Sequence, residues 1–211
     1  MVAKERLKSP RARLFVALDL PEDIRKGLIA WQRDTLADPA LRPIAPEALH
    51  VTLCFLAYHP ERDIERIAQV VCGIESHPVT IRFEEEPVAV PRSRPRLFAV
   101  DAPSAEAATL QAELSDRLEA ERFYKPEKRP FWSHVTVARI RPEKRSPSDR
   151  RGHRRGRPML VATPPGPLPA ELHEPFGAVR VALYRSTLRP TGAEYASLAE
   201  LELPPARAEK R

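Results

Sequence analysis

Apolar and polar positions alternate along some stretches of this chain and follow a helical rhythm along others. Residues 13 to 24, RLFVALDLPEDI, start as an apolar strand ending at Asp19 and pass through Pro21 into a helix striped by Ile24, Leu28 and Trp31. Residues 96 to 107, RLFAVDAPSAEA, repeat the arrangement, with Asp101 at the strand end and Leu110, Leu114 and Leu118 as the helical stripe. An acid beside a helix start, with proline in the first turn, is helix-entry chemistry, so both aspartates are expected at helix entries. A third helix is expected from about Glu61 to Glu75, with Ile64, Ile67, Val71 and Ile74 on one face. Strands are expected at 79–85, 178–188 and 195–203, with RPTGAE as the turn between the last two.

Two further strands carry polar residues in otherwise apolar runs. In ALHVTLCFL (48–56), alternation puts Val51, Leu53 and Phe55 on one face and His50, Thr52 and Cys54 on the other. The imidazole and the first hydroxyl then lie about 7 Å apart along the strand. FWSHVTVARI (131–140) repeats this with His134 and Thr136 on one face and Val135 and Val137 on the other. Strict alternation leaves Arg139 opposite His134. From the Arg-Leu-Phe start to the histidine is 37 residues in the first half and 38 in the second. Strand, helix and His-x-Thr strand therefore occur twice at nearly equal spacing, an internal repeat. The expected fold is α+β with two similar lobes, and a pseudo-two-fold would bring the two His-x-Thr faces together across a cleft.

Composition narrows the function classes. Apolar residues make up 42% of 211, ordinary for a globular chain, and no apolar run reaches the ~20 residues of a membrane span. The basic N-terminus has no apolar stretch of signal-peptide type behind it, so a cytoplasmic location is expected. Cys54 and Cys72 read as free thiols, and no carboxylate or cysteine accompanies the histidines at metal-ligand spacing. His59, His77, His153 and His173 lack the His-x-Thr setting and are expected in solvated or loop positions. The formal charge of +6 is uneven: residues 139–157 hold nine Arg/Lys and two acids. That segment has two readings, an arm that tracks RNA phosphates or a solvated loop. Domain organisation is expected as a basic tail (1–12), a single domain (13–203) with a basic, Pro-rich insertion near 142–170, and a C-terminal tail (204–211).

The paired motifs, with RLFVALDLP and VALYRSTLRPTGAEY, resemble the 2H phosphoesterase superfamily, and within it the RNA 2',3'-cyclic phosphodiesterases formerly called 2'-5' RNA ligases. The resemblance covers roughly residues 13 to 203. It departs from the family at Ala57, where FLA replaces the usual Phe-Leu-Gly, and across the basic insertion. It implies two pseudo-symmetric lobes of antiparallel sheet with outer helices around a central cleft, and hydrolysis of a terminal 2',3'-cyclic phosphate to a 2'-phosphate without metal or other cofactor. His50 is implied as proton donor and His134 as proton acceptor; the residues themselves do not separate the two roles. Thr52 and Thr136 would bind the phosphate, and Arg139 follows Thr136 as an arginine often does in the family. Phe15, with the small Ala17 on its face, offers room for a stacked base or simply packs in the core. The implied partners are RNA ending in a cyclic phosphate, or cyclic nucleotides, met by a monomer without membrane attachment. The chemistry is consistent with the residues: histidine titrates near working pH and suits both general acid and general base. Two other functions stay open: 2'-5' ligation as the reverse reaction, and a non-catalytic module that binds RNA ends.

Overall fold

Strand β1 (Arg11–Asp19) is buried along nearly its whole length and lies at the centre of the sheet. The computed structural model describes residues 10–143, 156–189 and 192–206. Helix α1 (Glu22–Thr35), β2 (Leu41–Pro43), β3 (His50–Pro60), α2 (Ile64–Cys72), β4 (Thr80–Ile81), β5 (Val88–Val90) and β6 (Leu97–Asp101) follow. Helix α3 (Ala105–Ala120), β7 (His134–Ile140), β8 (Phe176–Gly177), β9 (Arg180–Arg189) and β10 (Gly192–Glu202) complete the chain. Eight strands form one antiparallel sheet in the order β10-β9-β1-β3-β7-β6-β5, with β2 also pairing β7, while β4 and β8 form a separate ribbon. This is the expected α+β architecture. Each lobe is a set of antiparallel strands ending in a His-x-Thr strand: β3 for one, β7 for the other.

The helices are placed by their apolar stripes. Ile24, Leu28 and Trp31 of α1, and Leu110, Leu114 and Leu118 of α3, are buried against the sheet in one continuous core. Helix α2 is shorter than expected: a 3₁₀ turn over Glu61–Asp63 precedes it, and Gly73 closes it by donating its N–H to the Gln69 carbonyl at 2.9 Å. The strand expected at 79–85 reduces to Thr80–Ile81, because β8 offers only two partner residues; Phe83 still packs inward, edge-on to Phe176.

The two aspartates expected at helix entries are not there as caps. Pro21 opens α1 with no side-chain cap, and Ser104 caps α3 by accepting from the Ala107 N–H at 3.0 Å. Asp19 and Asp101 end their strands instead, directly opposite His50 and His134 in the ladder.

Residues 144–155, with Arg150, Arg151, Arg154, Arg155 and His153, lie outside the described residues, as do residues 1–9, 190–191 and 207–211. Both ends of the basic segment are held. Pro142 bridges to Pro158, and the Met159 N–H donates to the Arg141 carbonyl at 2.9 Å. Beyond it the chain packs on α1. The buried Asp38 accepts from the Ala162 and Thr163 N–H groups at 2.7 and 2.9 Å, and the Trp31 indole donates to the Pro167 carbonyl at 2.9 Å.

Candidate active site

Strands β3 and β7 pair at Val51 and Val135 and then diverge, opening a cleft between the lobes. Its volume is about 780 Å³, in the range of small-molecule sites. His50, Thr52, His134 and Thr136 all line it, so the polar faces of the two strands do share one cavity.

Matching bulges shape both walls. In β3, Ala17 of the neighbouring strand pairs with Thr52 and Val16 with Cys54, leaving Leu53 as the extra residue. In β7, Ala99 pairs with Thr136 and Phe98 with Ala138, leaving Val137 as the extra residue. The result corrects strict alternation. Leu53 and Cys54 both turn inward, as do Val137 and Ala138, and the next residues, Phe55 and Arg139, turn into the cleft. Arg139 therefore lies on the side of His134 and Thr136. Cys54 is not a cleft residue: it is buried beside α3, with Gln111 Nε2 at 3.9 Å from its sulfur, and burial pushes the thiol up to about 12.

Arginines dominate the charge of the cleft. Arg42 of β2 is the ladder partner of Arg139, and both line the cavity with Arg13 and Arg189. The described lining includes no carboxylate. Arg13 lies over the Phe55 ring at 4.5 Å and donates to the Ser186 hydroxyl at 2.8 Å. Phe55 is 42% exposed, a large aromatic face open to the cavity.

His50 is held in an aromatic box. Its ring stacks on Phe15 at 5.0 Å between centroids, and Tyr195 meets it edge-on at 5.6 Å. Phe15 is only 4% exposed, since its faces are covered by His50 and Tyr184. Behind them Asp19 accepts from the Tyr184 hydroxyl at 2.8 Å and from Arg180 Nε at 2.7 Å. Burial lowers the His50 pKa to about 4, opposed by the Asp19 charge and assisted by His134 and Arg25.

His134 is fixed differently. Its Nδ1 lies 2.8 Å from the Trp132 carbonyl. A carbonyl only accepts, so in the neutral ring Nδ1 carries the proton and Nε2 keeps a lone pair. Burial lowers this pKa as well, opposed by that hydrogen bond and by Asp101. Sequence reasoning missed Arg42, Phe55, Tyr195 and Trp132. Of these, Trp132 stood in plain view beside the motif and Tyr195 within the quoted C-terminal block.

The chain is similar to known proteins in part of its sequence and in its fold. A family model described as LigT-like phosphoesterase matches residues 18–96. The chain is 48% identical over 44 residues to the RNA 2',3'-cyclic phosphodiesterase of Escherichia coli K12, covering 21% of this chain and 25% of that protein. It is 26% identical over 130 residues to the Archaeoglobus fulgidus protein of the same name, covering 61% of this chain and 73% of that one. Aligned sequence thus spans a quarter of the first relative and about three quarters of the second. The fold matches a crystal structure from Thermus thermophilus with a TM-score of 0.73 at 24% identity, over 90% of this chain and 97% of that one. Over residues 18–96 the chain is thus similar to the LigT-like phosphoesterases, and over nearly its whole length it shares the fold of the Thermus thermophilus structure.

Proposed function

We propose that this protein hydrolyses the 2',3'-cyclic phosphate at RNA ends to a 2'-phosphate, using His50 and His134 as an acid–base pair. The observation that carries this reading is the cleft itself: two histidines, two threonines and four arginines, with no carboxylate in the described lining. Such a lining favours a small anion and is equipped to move protons. The relatives named RNA 2',3'-cyclic phosphodiesterase support the choice of substrate.

In this mechanism His134 Nε2 takes a proton from water as the oxygen attacks phosphorus. The bond from phosphorus to O3' breaks, and the His50 imidazolium gives its proton to that oxygen. The products are a 3'-hydroxyl and a 2'-phosphomonoester. Thr52 and Thr136 hydroxyls donate to the non-bridging oxygens as charge builds on them. Arg139 and Arg42 hold the phosphate from the β7 side. Burial makes His50 hard to protonate, and a bound phosphodiester supplies the negative charge that reverses this. The open ring of Phe55 offers a surface for a neighbouring base. The reading also takes the enzyme as a monomer that needs no metal.

The deciding assay incubates the purified protein with EDTA, a 2',3'-cyclic nucleotide, and a short RNA ending in a cyclic phosphate. The expected product carries a 2'-phosphate. A 3'-phosphate product, or no turnover of either substrate, overturns the reading. Joining to a 5'-hydroxyl RNA without hydrolysis would favour ligation.

A further inference from the structure

Trp132 stands in coil two residues ahead of His134 and meets that histidine twice. Its indole lies flat on the imidazole, with ring centroids 3.8 Å apart and planes 14° from parallel. Its backbone carbonyl takes the Nδ1–H. The indole is itself tethered, since Nε1 donates to Asp101 Oδ1 at 2.8 Å. Asp101 in turn is the ladder partner of His134 across β6 and β7. The three residues close a ring of contacts around one imidazole.

We propose that Trp132 and Asp101 are positioning residues for His134. Trp132 fixes the plane of the imidazole and the nitrogen that carries its proton. Asp101 fixes the indole and places a carboxylate beside the ring. This inference rests on the acid–base reading, in which Nε2 must point at the attacking water. A histidine free to rotate about its χ angles would meet that water only part of the time.

The opposite lobe shows what is particular here. Asp19 holds the same ladder place opposite His50. Its carboxylate, however, is met by the Arg180 guanidinium and the Tyr184 hydroxyl. Asp101 is met by a neutral indole N–H, so its charge acts on His134 less offset. The two lobes repeat the carboxylate and differ in its neutralisation. Among the described residues, the charged or titratable groups that share the cleft with His134 are His50 and Tyr58 from β3, Arg42 from β2, Arg139 from its own strand, Arg13 from β1, Arg189 from β9 and Tyr195 from β10.

Four single variants of the full chain and one double variant test this: His134→Ala, Trp132→Phe, Asp101→Asn, Asp101→Ala, and Trp132→Phe with Asp101→Ala. Each is assayed with a 2',3'-cyclic nucleotide, and all but the first are followed by NMR titration of the His134 ring. Trp132→Phe keeps a ring on the imidazole and loses the tether; kcat should fall about 10-fold with KM little changed. Asp101→Asn keeps an acceptor for the indole and loses the charge, so the His134 titration should move to lower pH while most of kcat remains. Asp101→Ala should do both. Trp132→Phe combined with Asp101→Ala should be no slower than the slower single variant, because both cut one tether. If His134→Ala is inactive while Trp132→Phe and Asp101→Asn leave kcat and the titration unchanged, this inference is wrong and the acid–base reading stands. If His134→Ala stays active with its fold intact, the acid–base reading itself has failed. A fall in thermal stability that accounts for the whole loss of kcat would also overturn the positioning role.

Discussion

Val51 lies opposite Val135, and this pairing joins the two halves of the sheet one residue beyond each catalytic candidate. Each histidine immediately precedes its valine, and both line one cavity. A phosphorus atom between them would have one imidazole on the side of attack and one on the side of departure. That arrangement suits in-line displacement.

Both histidines should therefore be needed. His50→Ala and His134→Ala are each expected to lower turnover by ~10²–10⁴. The double variant should be little slower than the worse single, since the two groups act as a unit. Steady-state kinetics on a cyclic nucleotide, with circular dichroism to verify folding, checks this. Near-full activity in either single variant removes the paired mechanism.

Proton linkage should be visible without any chemistry. Burial lowers both histidine pKa values, and phosphate in the cleft favours their charged forms. Binding inorganic phosphate at pH 7 should therefore take up protons, and affinity should rise as pH falls toward 5. Calorimetry in buffers of different ionisation enthalpy measures the uptake. Proton release on binding contradicts the electrostatics of the cleft.

The same depression affects stability. An unfolded histidine titrates near 6.5, and folded His50 near 4, so between those values the unfolded chain binds more protons. Stability should fall as pH is lowered through that window. His50→Gln should reduce the fall, and thermal melts at pH 7 and pH 4.5 decide it.

Ala57 offers a test of the backbone. It lines the cleft at φ 61°, where an L side chain costs about 1–2 kcal/mol and glycine does not. Glycine loses part of that gain to its freer unfolded state, so Ala57→Gly should raise stability by ~0.5–1 kcal/mol. Urea unfolding measures it; a destabilised variant shows that the Ala57 methyl packs more usefully than its backbone strains.

The threonines should matter less than the histidines. Thr52→Ala or Thr136→Ala removes one donor to phosphate, at most ~2.7–4 kcal/mol of transition-state stabilisation. Thr→Ser keeps the hydroxyl and should keep most of the activity. Equal losses in the Ser and Ala variants would assign the effect to the methyl group.

Much of this fold was legible in the sequence because two periodicities stood side by side. His50, Thr52, His134 and Thr136 interrupt apolar runs at period two, and the helical stripes of α1 and α3 are long enough to read. The bulges were not legible. Leu53–Cys54 and Val137–Ala138 are apolar pairs, so they fit either phase of the alternation, and only the ladder with β1 and β6 shows which. Asp19 and Asp101 matched a helix-entry pattern, and tertiary partners claimed them instead: Tyr184 and Arg180 for one, Trp132 for the other. Arg42 sits on a strand of three residues, too short to carry a period, and it reaches the cleft only because β2 pairs with β7.

The bulge after each threonine changes the arithmetic of these strands. His134 and Arg139 are five positions apart, and His50 and Phe55 are five apart as well. An odd separation should put two side chains on opposite sides of a regular strand, yet all four point into one cavity. The extra residue acts as a parity switch. Deleting Val137 would leave the histidine in place and turn Arg139 toward the apolar core. Because the same switch stands at the same step in both lobes, the residue that faces the cleft just past each bulge, Phe55 or Arg139, stands at an odd spacing from its histidine, whereas the threonine before the bulge stands at an even one.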